Sequence, residues 1–156
     1  MSKLSRLLLT GGLAASLSLG AAMVPAVAHA DEDNATGSDQ KASKVVYHIN
    51  DAESQALAAL RNMRNHLDVA PDTEIVAITH ADGIEFLMND YEDAETVGPL
   101  VAGLASRGVR FEVCEITIGR KDYDESDFLL EADFTPSGVV RLTDLQSKEG
   151  FAYIKP

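Results

Sequence analysis

The sequence predicts an α/β domain of three layers, in which helices cover both faces of a mostly parallel sheet of five strands. Segments rich in β-branched and aromatic residues alternate with segments whose apolar residues recur at helical spacing, as in βαβ units. Residues 74–80 are almost continuously apolar, which is typical of a strand buried on both faces. We therefore expect a flavodoxin-like arrangement with a strand order near 2-1-3-4-5.

The individual elements follow from local chemistry. Strands are predicted at residues 44–49, 74–80, 109–117, 132–135 and 151–155, and helices at residues 52–67, 93–107, 124–131 and 138–150, with a helical turn at 84–88. Asp51 is suited to cap the first helix, and Gly108 is suited to end the second. Pro99 is expected to begin or kink the second helix, because proline lacks the N–H that a helix interior needs.

The first 30 residues have the pattern of a Sec-type signal peptide. Two basic residues precede an apolar run over residues 7–24, and Ala28 and Ala30 suit cleavage after Ala30. A retained membrane anchor is the alternative, which the glycines and serines in the run disfavour. We therefore expect a periplasmic protein without a membrane segment after cleavage.

The remaining chain is predicted to form one acidic domain. Residues 31–43 are polar and without periodicity, so we expect a disordered leader there, followed by a single domain over residues 44–156. Because Lys3 and Arg6 leave with the signal segment, the mature chain has 11 basic and 25 acidic residues, a net charge of −14. Such acidity repels phosphate backbones and disfavours nucleic acid as a partner.

Three reactive side chains are predicted to lie at the carboxyl ends of strands: His48, His80 and Cys114. In open α/β sheets, ligands bind at this edge, at the point where the strand order reverses. With the expected order, the first three strands are neighbours about 4.8 Å apart. The two histidines and the thiol are therefore expected to line one rim.

Cys114 is the only cysteine, so the chain forms no internal disulfide. Arg110 and Lys121 favour its thiolate, whereas Glu112 and Glu115 oppose it. Strand alternation places Arg110 and Glu112 on the same face as the thiol, and a face with two charges is not expected to be dry core. A buried packing cysteine remains the alternative.

Other kinds of site have less support. His48, His80 and Cys114 are potential zinc or copper ligands, but the sequence lacks a metal-binding spacing, and no metal or cofactor is expected. The chain contains no G-x-G-x-x-G, P-loop or G-x-S-x-G motif. Nucleotide binding and serine hydrolase chemistry are therefore not supported.

Six segments in the same order resemble the DsrE/DsrF-like (YchN-type) family, and they are residues 45–50, 65–67, 78–80, 108–114, 136–139 and 145–156. The resemblance implies a parallel five-stranded domain that assembles as a homotrimer or homohexamer. In the sulfur-relay members, a cysteine at this strand end carries persulfide sulfur between partner proteins, a role that falls on Cys114. Residues 115–118 differ from the expected Asn-Thr-Leu, although Thr117 is retained.

The sequence therefore predicts a persulfide carrier, at most sulfurtransferase-like, that exchanges sulfur at Cys114 with a donor or acceptor protein. His48, His80, Asn50 and Thr117 are the predicted pocket residues. The alternative is a non-catalytic homo-oligomer that binds a small ligand or a metal. A third possibility is an oligomeric scaffold in which Cys114 is buried between subunits.

Overall fold

In the computed structural model, which describes residues 42–156, five strands alternate with four α-helices. The strands are β1 (Lys44–Ile49), β2 (Glu74–Thr79), β3 (Arg110–Cys114), β4 (Ala132–Thr135) and β5 (Ala152–Ile154). The α-helices are α1 (Ala52–Val69), α2 (Ala94–Ala105), α3 (Glu115–Lys121) and α4 (Gly138–Ser147), and 3₁₀ turns span Ala81–Leu87 and Glu125–Asp127. The predicted signal peptide and most of the predicted leader lie outside the described residues.

The strands form a single sheet in the order β4-β3-β2-β1-β5, and every pair is parallel. The predicted α/β class with a parallel five-stranded sheet is confirmed. The predicted order near 2-1-3-4-5 is wrong, because the chain adds β2, β3 and β4 successively on one side of β1. Only the last crossover returns, and it places β5 on the free side of β1.

The two faces of the sheet are covered by different helices. Parallel crossovers are right-handed, so reversing the direction of the last connection places its helix on the opposite face. Helices α1 and α2 accordingly share one face with the main apolar cluster, whereas α4 packs against β1, β2 and β3 on the other. The result is the expected three-layer arrangement. No helix within residues 42–156 combines the length and hydrophobicity that a bilayer crossing requires.

Strand alternation divides the side chains between these faces. Tyr47, Ala77 and Phe111 lie in register on neighbouring strands and are buried in the main cluster with α1 and α2. The residues between them point to α4, where a second, smaller cluster contains Val46, Val76, Ile78, Leu142, Leu145 and Phe151. Residues with even numbers in β1, β2 and β3 therefore face α4.

The predicted strand over residues 109–117 ends earlier than expected, at Cys114, and α3 begins at Glu115. The β-branched residues at 116–118 favour a strand locally, but packing overrides that preference. The helical turn buries Thr117 and Ile118, which are only 9% and 7% exposed. The cysteine thus sits at the junction between a strand and a helix.

Two other predicted helices differ from the structure. The helix predicted over residues 124–131 is only the 3₁₀ turn Glu125–Asp127, closed by reciprocal capping between Asp124 and Asp127. Helix α2 begins at Ala94 and continues through Pro99, so the proline does not begin it.

Candidate functional site

Cys114, His80 and His48 meet at the carboxyl edge of the sheet on the face that α4 covers. Cys114 is the last residue of β3, and His80 directly follows β2. Because Thr79 pairs with Val113, the imidazole and the thiol begin at the same level of adjacent strands. His48 lies two residues further from the carboxyl edge than His80, because it pairs with Ile78 on β2. The predicted rim is present, with His80 in the middle because β2 lies between β1 and β3.

The Cys114 side chain is buried, with 5% of the residue exposed. Burial alone raises the pKa of the thiol. Hydrogen bonds from the Gly138 amide, from the amide and hydroxyl of Thr117 and from the Ile116 amide act in the opposite direction. Together they lower the pKa of Cys114 below its ordinary value of 9.0, which favours the nucleophilic thiolate.

The start of each neighbouring helix supplies these donors. Cys114 is the cap residue of α3, so the first-turn amides of that helix have no partner within it. The amide of Gly138 comes from the first residue of α4. A Cβ atom on Gly138 would lie 3.3 Å from Cβ of Cys114 and 3.4 Å from Cβ of His80. The missing side chain therefore allows α4 to approach the thiol and the imidazole closely.

The predicted pocket residue Thr117 lies next to the thiol and also contacts the segment that follows β2. Its hydroxyl donates to Cys114 and accepts a hydrogen bond of 3.2 Å from the amide of Ala81. The hydroxyl therefore joins the start of α3 to the segment that follows β2. The neighbouring backbone of His80 is held by the same contact.

His48 and His80 contact each other directly. Their Nε2 atoms are 2.6 Å apart, and Nδ1 of His48 lies 2.7 Å from the hydroxyl oxygen of Tyr153. Burial, followed by the positive charge of Lys155, lowers the pKa of both imidazoles, that of His48 to about 4. Both pKa shifts favour neutral rings at neutral pH, and a hydrogen bond between two neutral imidazoles requires that one of the two Nε2 atoms carry the proton.

Lys155 holds the end of β1 in place. Its Nζ atom donates to the His48 carbonyl oxygen over 3.2 Å, to the Oε1 atom of Gln55 over 3.0 Å and to the Oδ1 atom of Asn50. The predicted pocket residue Asn50 thus belongs to this lysine network, next to the histidines. The network fixes a cation beside the imidazole pair.

Comparisons with known proteins identify the family of this chain. The model of the DsrE/DsrF-like family matches residues 39–156. The chain belongs to the DsrE/DsrF-like family. The solved structure of a protein of unknown function, MTH1491 from Methanobacterium thermoautotrophicum, is similar at 32% identity with a TM-score of 0.66. That match covers 73% of this chain and 99% of the other. A comparison with curated proteins found no match.

The rim of this DsrE/DsrF-like domain includes three residues that the sequence analysis did not identify: Gly138, Tyr153 and Lys155. Tyr153 and Lys155 were missed because the predicted strand order did not place β5 beside β1. Gly138 was assigned to a helix start, but only the fold shows that this start faces Cys114. A lysine and a tyrosine at the end of the last predicted strand were the available signal.

The charged residue Glu112, on the same strand face as the thiol, is buried in an ion pair with Arg141, so it does not expose that face to solvent. Glu112 is 7% exposed, and its carboxylate accepts hydrogen bonds of 2.9 and 3.3 Å from Arg141 on α4. Arg110 lies at the margin, with its guanidinium 3.7 Å from the same carboxylate. The expectation that two charges prevent burial is therefore wrong, because the partner needed for burial comes from α4.

The imidazole pair does not have the geometry of a zinc site. Two histidine nitrogens on one tetrahedral zinc are roughly 3.3 Å apart, given Zn–N bonds of about 2.0–2.1 Å. The observed 2.6 Å between Nε2 atoms is a hydrogen-bond distance. Within residues 42–156, no group of three or more His, Cys, Asp or Glu side chains is arranged to hold a metal ion.

Proposed function

We propose that this DsrE/DsrF-like protein is a periplasmic sulfur carrier that holds a sulfane sulfur atom on Cys114 as a persulfide. The observation that carries the proposal is a single buried thiol at the start of α3, which lies beside His80 and against Gly138 at the start of α4. Membership of a family of the sulfur-relay type supports the same chemistry. The signal-peptide pattern in the first 30 residues supports the periplasmic location.

The transfer step needs no change of oxidation state. The Cys114 thiolate attacks the terminal sulfur of a donor persulfide R–S–SH, so that a new S–S bond forms and the donor's S–S bond breaks. The donor leaves as the thiolate R–S⁻ and takes up a proton, while Cys114 keeps the –S–SH group. Attack by an acceptor thiolate on the same sulfur then reverses the exchange and regenerates the Cys114 thiolate.

The burial of Cys114 agrees with a terminal sulfur atom as the transferred group. With 5% of the residue exposed, the thiol presents little surface, which favours reaction with a small terminal sulfur atom over reaction with a bulky group. The surrounding amides stabilise the thiolate and remain available to a charged persulfide. Cys114 is thus suited to hold sulfur and protect it from solvent.

The proposed assembly is a homotrimer or homohexamer that exchanges sulfur with a donor or acceptor protein. Apolar side chains near the rim are exposed in the single chain, Ile116 at 47%, Val139 at 58% and Val140 at 57%. Such exposed side chains close together support a contact with another protein. Light scattering of the purified protein would test the assembly, and a monomer would contradict it.

The carrier role is tested by intact-mass measurement after incubation with polysulfide, thiosulfate or a small persulfide. We expect wild type to gain the mass of one sulfur atom, which dithiothreitol removes. Cys114→Ser is a complete control, because the chain has no other cysteine. No gain on wild type, or an equal gain on Cys114→Ser, would contradict the proposal.

The same preparation tests the alternative of a metal-binding homo-oligomer. Stoichiometric zinc or copper in the fresh protein, lost in a His48→Ala variant, would favour that alternative. N-terminal sequencing of the exported protein tests the location, since we expect it to begin at Asp31. Retention of the intact leader in the cytoplasm would contradict the periplasmic assignment.

A further inference from the structure

The three hydrogen-bonding rings at the rim form a continuous chain that starts at the surface. Tyr153 is 44% exposed, and its hydroxyl oxygen is 2.7 Å from Nδ1 of His48. The other nitrogen of His48 is 2.6 Å from Nε2 of His80. Gly138 lies next to both His80 and Cys114, since a Cβ atom on it would be 3.4 Å and 3.3 Å from theirs. An unbroken series of hydrogen bonds therefore runs from solvent to the neighbourhood of the thiol.

This chain has two arrangements of protons that differ only in direction. In the first, the Tyr153 hydroxyl donates to Nδ1 of His48, Nε2–H of His48 donates to His80, and Nδ1 of His80 carries a proton. In the second, Nε2–H of His80 donates to His48, Nδ1–H of His48 donates to Tyr153, and Nδ1 of His80 is an acceptor. Moving from one to the other carries one proton along the whole chain.

The free end of the chain is Nδ1 of His80. Within residues 42–156 this atom has no hydrogen-bond partner, and no buried side-chain nitrogen or oxygen there lacks one. The atom is therefore accessible to solvent or to a molecule entering the rim. A neutral imidazole with one open nitrogen is able to accept or donate a proton at that position.

The surroundings keep both imidazoles neutral, as a relay requires. Lys155 after β5 is the nearest cation, Asp51 at the start of α1 acts on that lysine, and the thiol of Cys114 lies on β3. Helix α4 has no charged side chain before Arg141, which pairs with Glu112. Burial first, and the positive charge of Lys155 second, therefore disfavour an imidazolium at both positions.

We propose that His80 is the acid–base residue for sulfur exchange at Cys114 and that His48 and Tyr153 connect it to solvent as a proton relay. This inference rests on the proposed function. When the donor leaves as R–S⁻, Nδ1–H of His80 gives it a proton, and His80 recovers one at Nε2 from His48. His48 in turn recovers a proton from the Tyr153 hydroxyl, and Tyr153 from water. An acceptor thiol loses its proton along the same path in reverse.

The relay is tested by the rate of sulfur transfer from cysteine persulfide to Cys114, measured from pH 5 to 9 in H₂O and D₂O. Tyr153→Phe removes the surface hydroxyl and keeps both histidines. We expect the rate to fall about tenfold or more, at the lower end of general acid–base effects, with a smaller solvent isotope effect and a changed pH profile. Tyr47→Phe is the matched control, since Tyr47 contacts a different histidine, His66, over 3.3 Å.

Histidine ¹⁵N spectra provide a readout that does not depend on sulfur transfer. We expect Tyr153→Phe to change the tautomer populations of both His48 and His80, and Tyr47→Phe to leave them unchanged. If wild type takes up sulfur and Tyr153→Phe keeps its rate, isotope effect and pH profile, the relay is wrong and the carrier role stands. If wild type takes up no sulfur, the carrier role and the transfer role of His80 both fail. An unchanged His80 spectrum in Tyr153→Phe then also rejects the proton chain.

Discussion

The two faces of the sheet have different compositions, although the same strands supply both. The face under α1 and α2 is mostly apolar and carries a large cluster that includes Phe86, Phe111 and Leu60, all fully buried. The face under α4 carries a cluster of six buried apolar residues, then the Glu112–Arg141 ion pair, and at its carboxyl edge the thiol and the histidines. Stability and chemistry are thus divided between the two sides of one sheet.

The difference follows from how many helices cover each face. Two helices of 18 and 12 residues shield one side, whereas a single helix of 10 residues shields the other. A short cover excludes water from the middle of the strands and leaves their carboxyl ends partly accessible. Polar and reactive side chains are tolerated there because the start of α4 provides partners for them.

The largest expected effect is on the face under α1 and α2. Phe111→Ala should lower the free energy of unfolding by about 3–5 kcal/mol, because it empties a fully buried aromatic site. Leu142→Ala on the other face should cost only about 2 kcal/mol, since Leu142 is 7% exposed and its surroundings are able to collapse. Urea denaturation of both variants measures the difference. Equal losses would show that the two faces contribute alike.

The buried ion pair on the α4 face should give the next largest effect. Within residues 42–156, Glu112→Gln leaves Arg141 with Glu149 as its one acidic partner and should cost about 1–3 kcal/mol. Glu74→Gln is the control, because Glu74 is 39% exposed and pairs with Lys44 and Arg110 at the surface. Surface pairs contribute about 0–1 kcal/mol, so the control should change little. A cost for Glu74→Gln as large as that for Glu112→Gln would contradict the assigned burial.

The fold class was predictable because it depends on local periodicity, and the strand order was not because it depends on a long-range choice. No residue pattern in α4 indicates that the chain crosses back over the sheet after β4 and adds β5 beside β1. Residues 116–118 favour a strand by their branched side chains, yet they form a helix once Ile118 is buried in the core. In both cases, the strand order and the helix at residues 116–118, tertiary packing overrides what the local sequence indicates.

The rim was partly predictable for a different reason. Cys114, His48 and His80 follow from the rule that parallel strands place their carboxyl ends at one edge, which holds for any strand order. Tyr153 and Lys155 require knowledge of which strand lies beside β1. Gly138 requires the distance between a helix start and a strand end, which no sequence pattern states. Of the groups that lower the pKa of the thiol, Thr117 was predicted as a pocket residue, whereas Gly138 was not.

Gly138 allows a sharper test of the α4 face. Gly138→Ala places a methyl group 3.3 Å from Cβ of Cys114, which should weaken the amide's hydrogen bond to the thiol and raise the pKa of Cys114. Overpacking should cost roughly 1 kcal/mol of stability. Gly103→Ala in α2 is the control, because a Cβ there meets nothing within 4 Å and should stabilise the helix by roughly 0.5–1 kcal/mol. The rate of Cys114 alkylation, measured as a function of pH, gives the pKa of the thiol. An unchanged pKa in Gly138→Ala would show that α4 does not influence the thiol.

The histidine pair should make a contribution to stability that depends on pH. The folded state lowers the pKa of His48 from 6.5 to about 4 and also lowers that of His80, so the unfolded chain binds more protons between those values. The free energy of unfolding should therefore be complete above pH 6.5 and should decrease as the pH falls towards 4. On the side of α1 and α2, the imidazole of His66 contacts Tyr47 and provides a comparison for the pair.

His48→Gln should flatten this dependence, because it removes the imidazole whose pKa is lowered to about 4 and exposes the other to water. His66→Gln removes one imidazole on α1, outside the pair, and serves as the matched control. Thermal denaturation at pH 4.5 and 7 compares the three proteins. The same slope in His48→Gln as in wild type would mean that the pair is charged or fully hydrated in the folded protein. A cationic pair would hold no neutral imidazole to accept a proton, so that result would count against the relay as well as against the stability prediction.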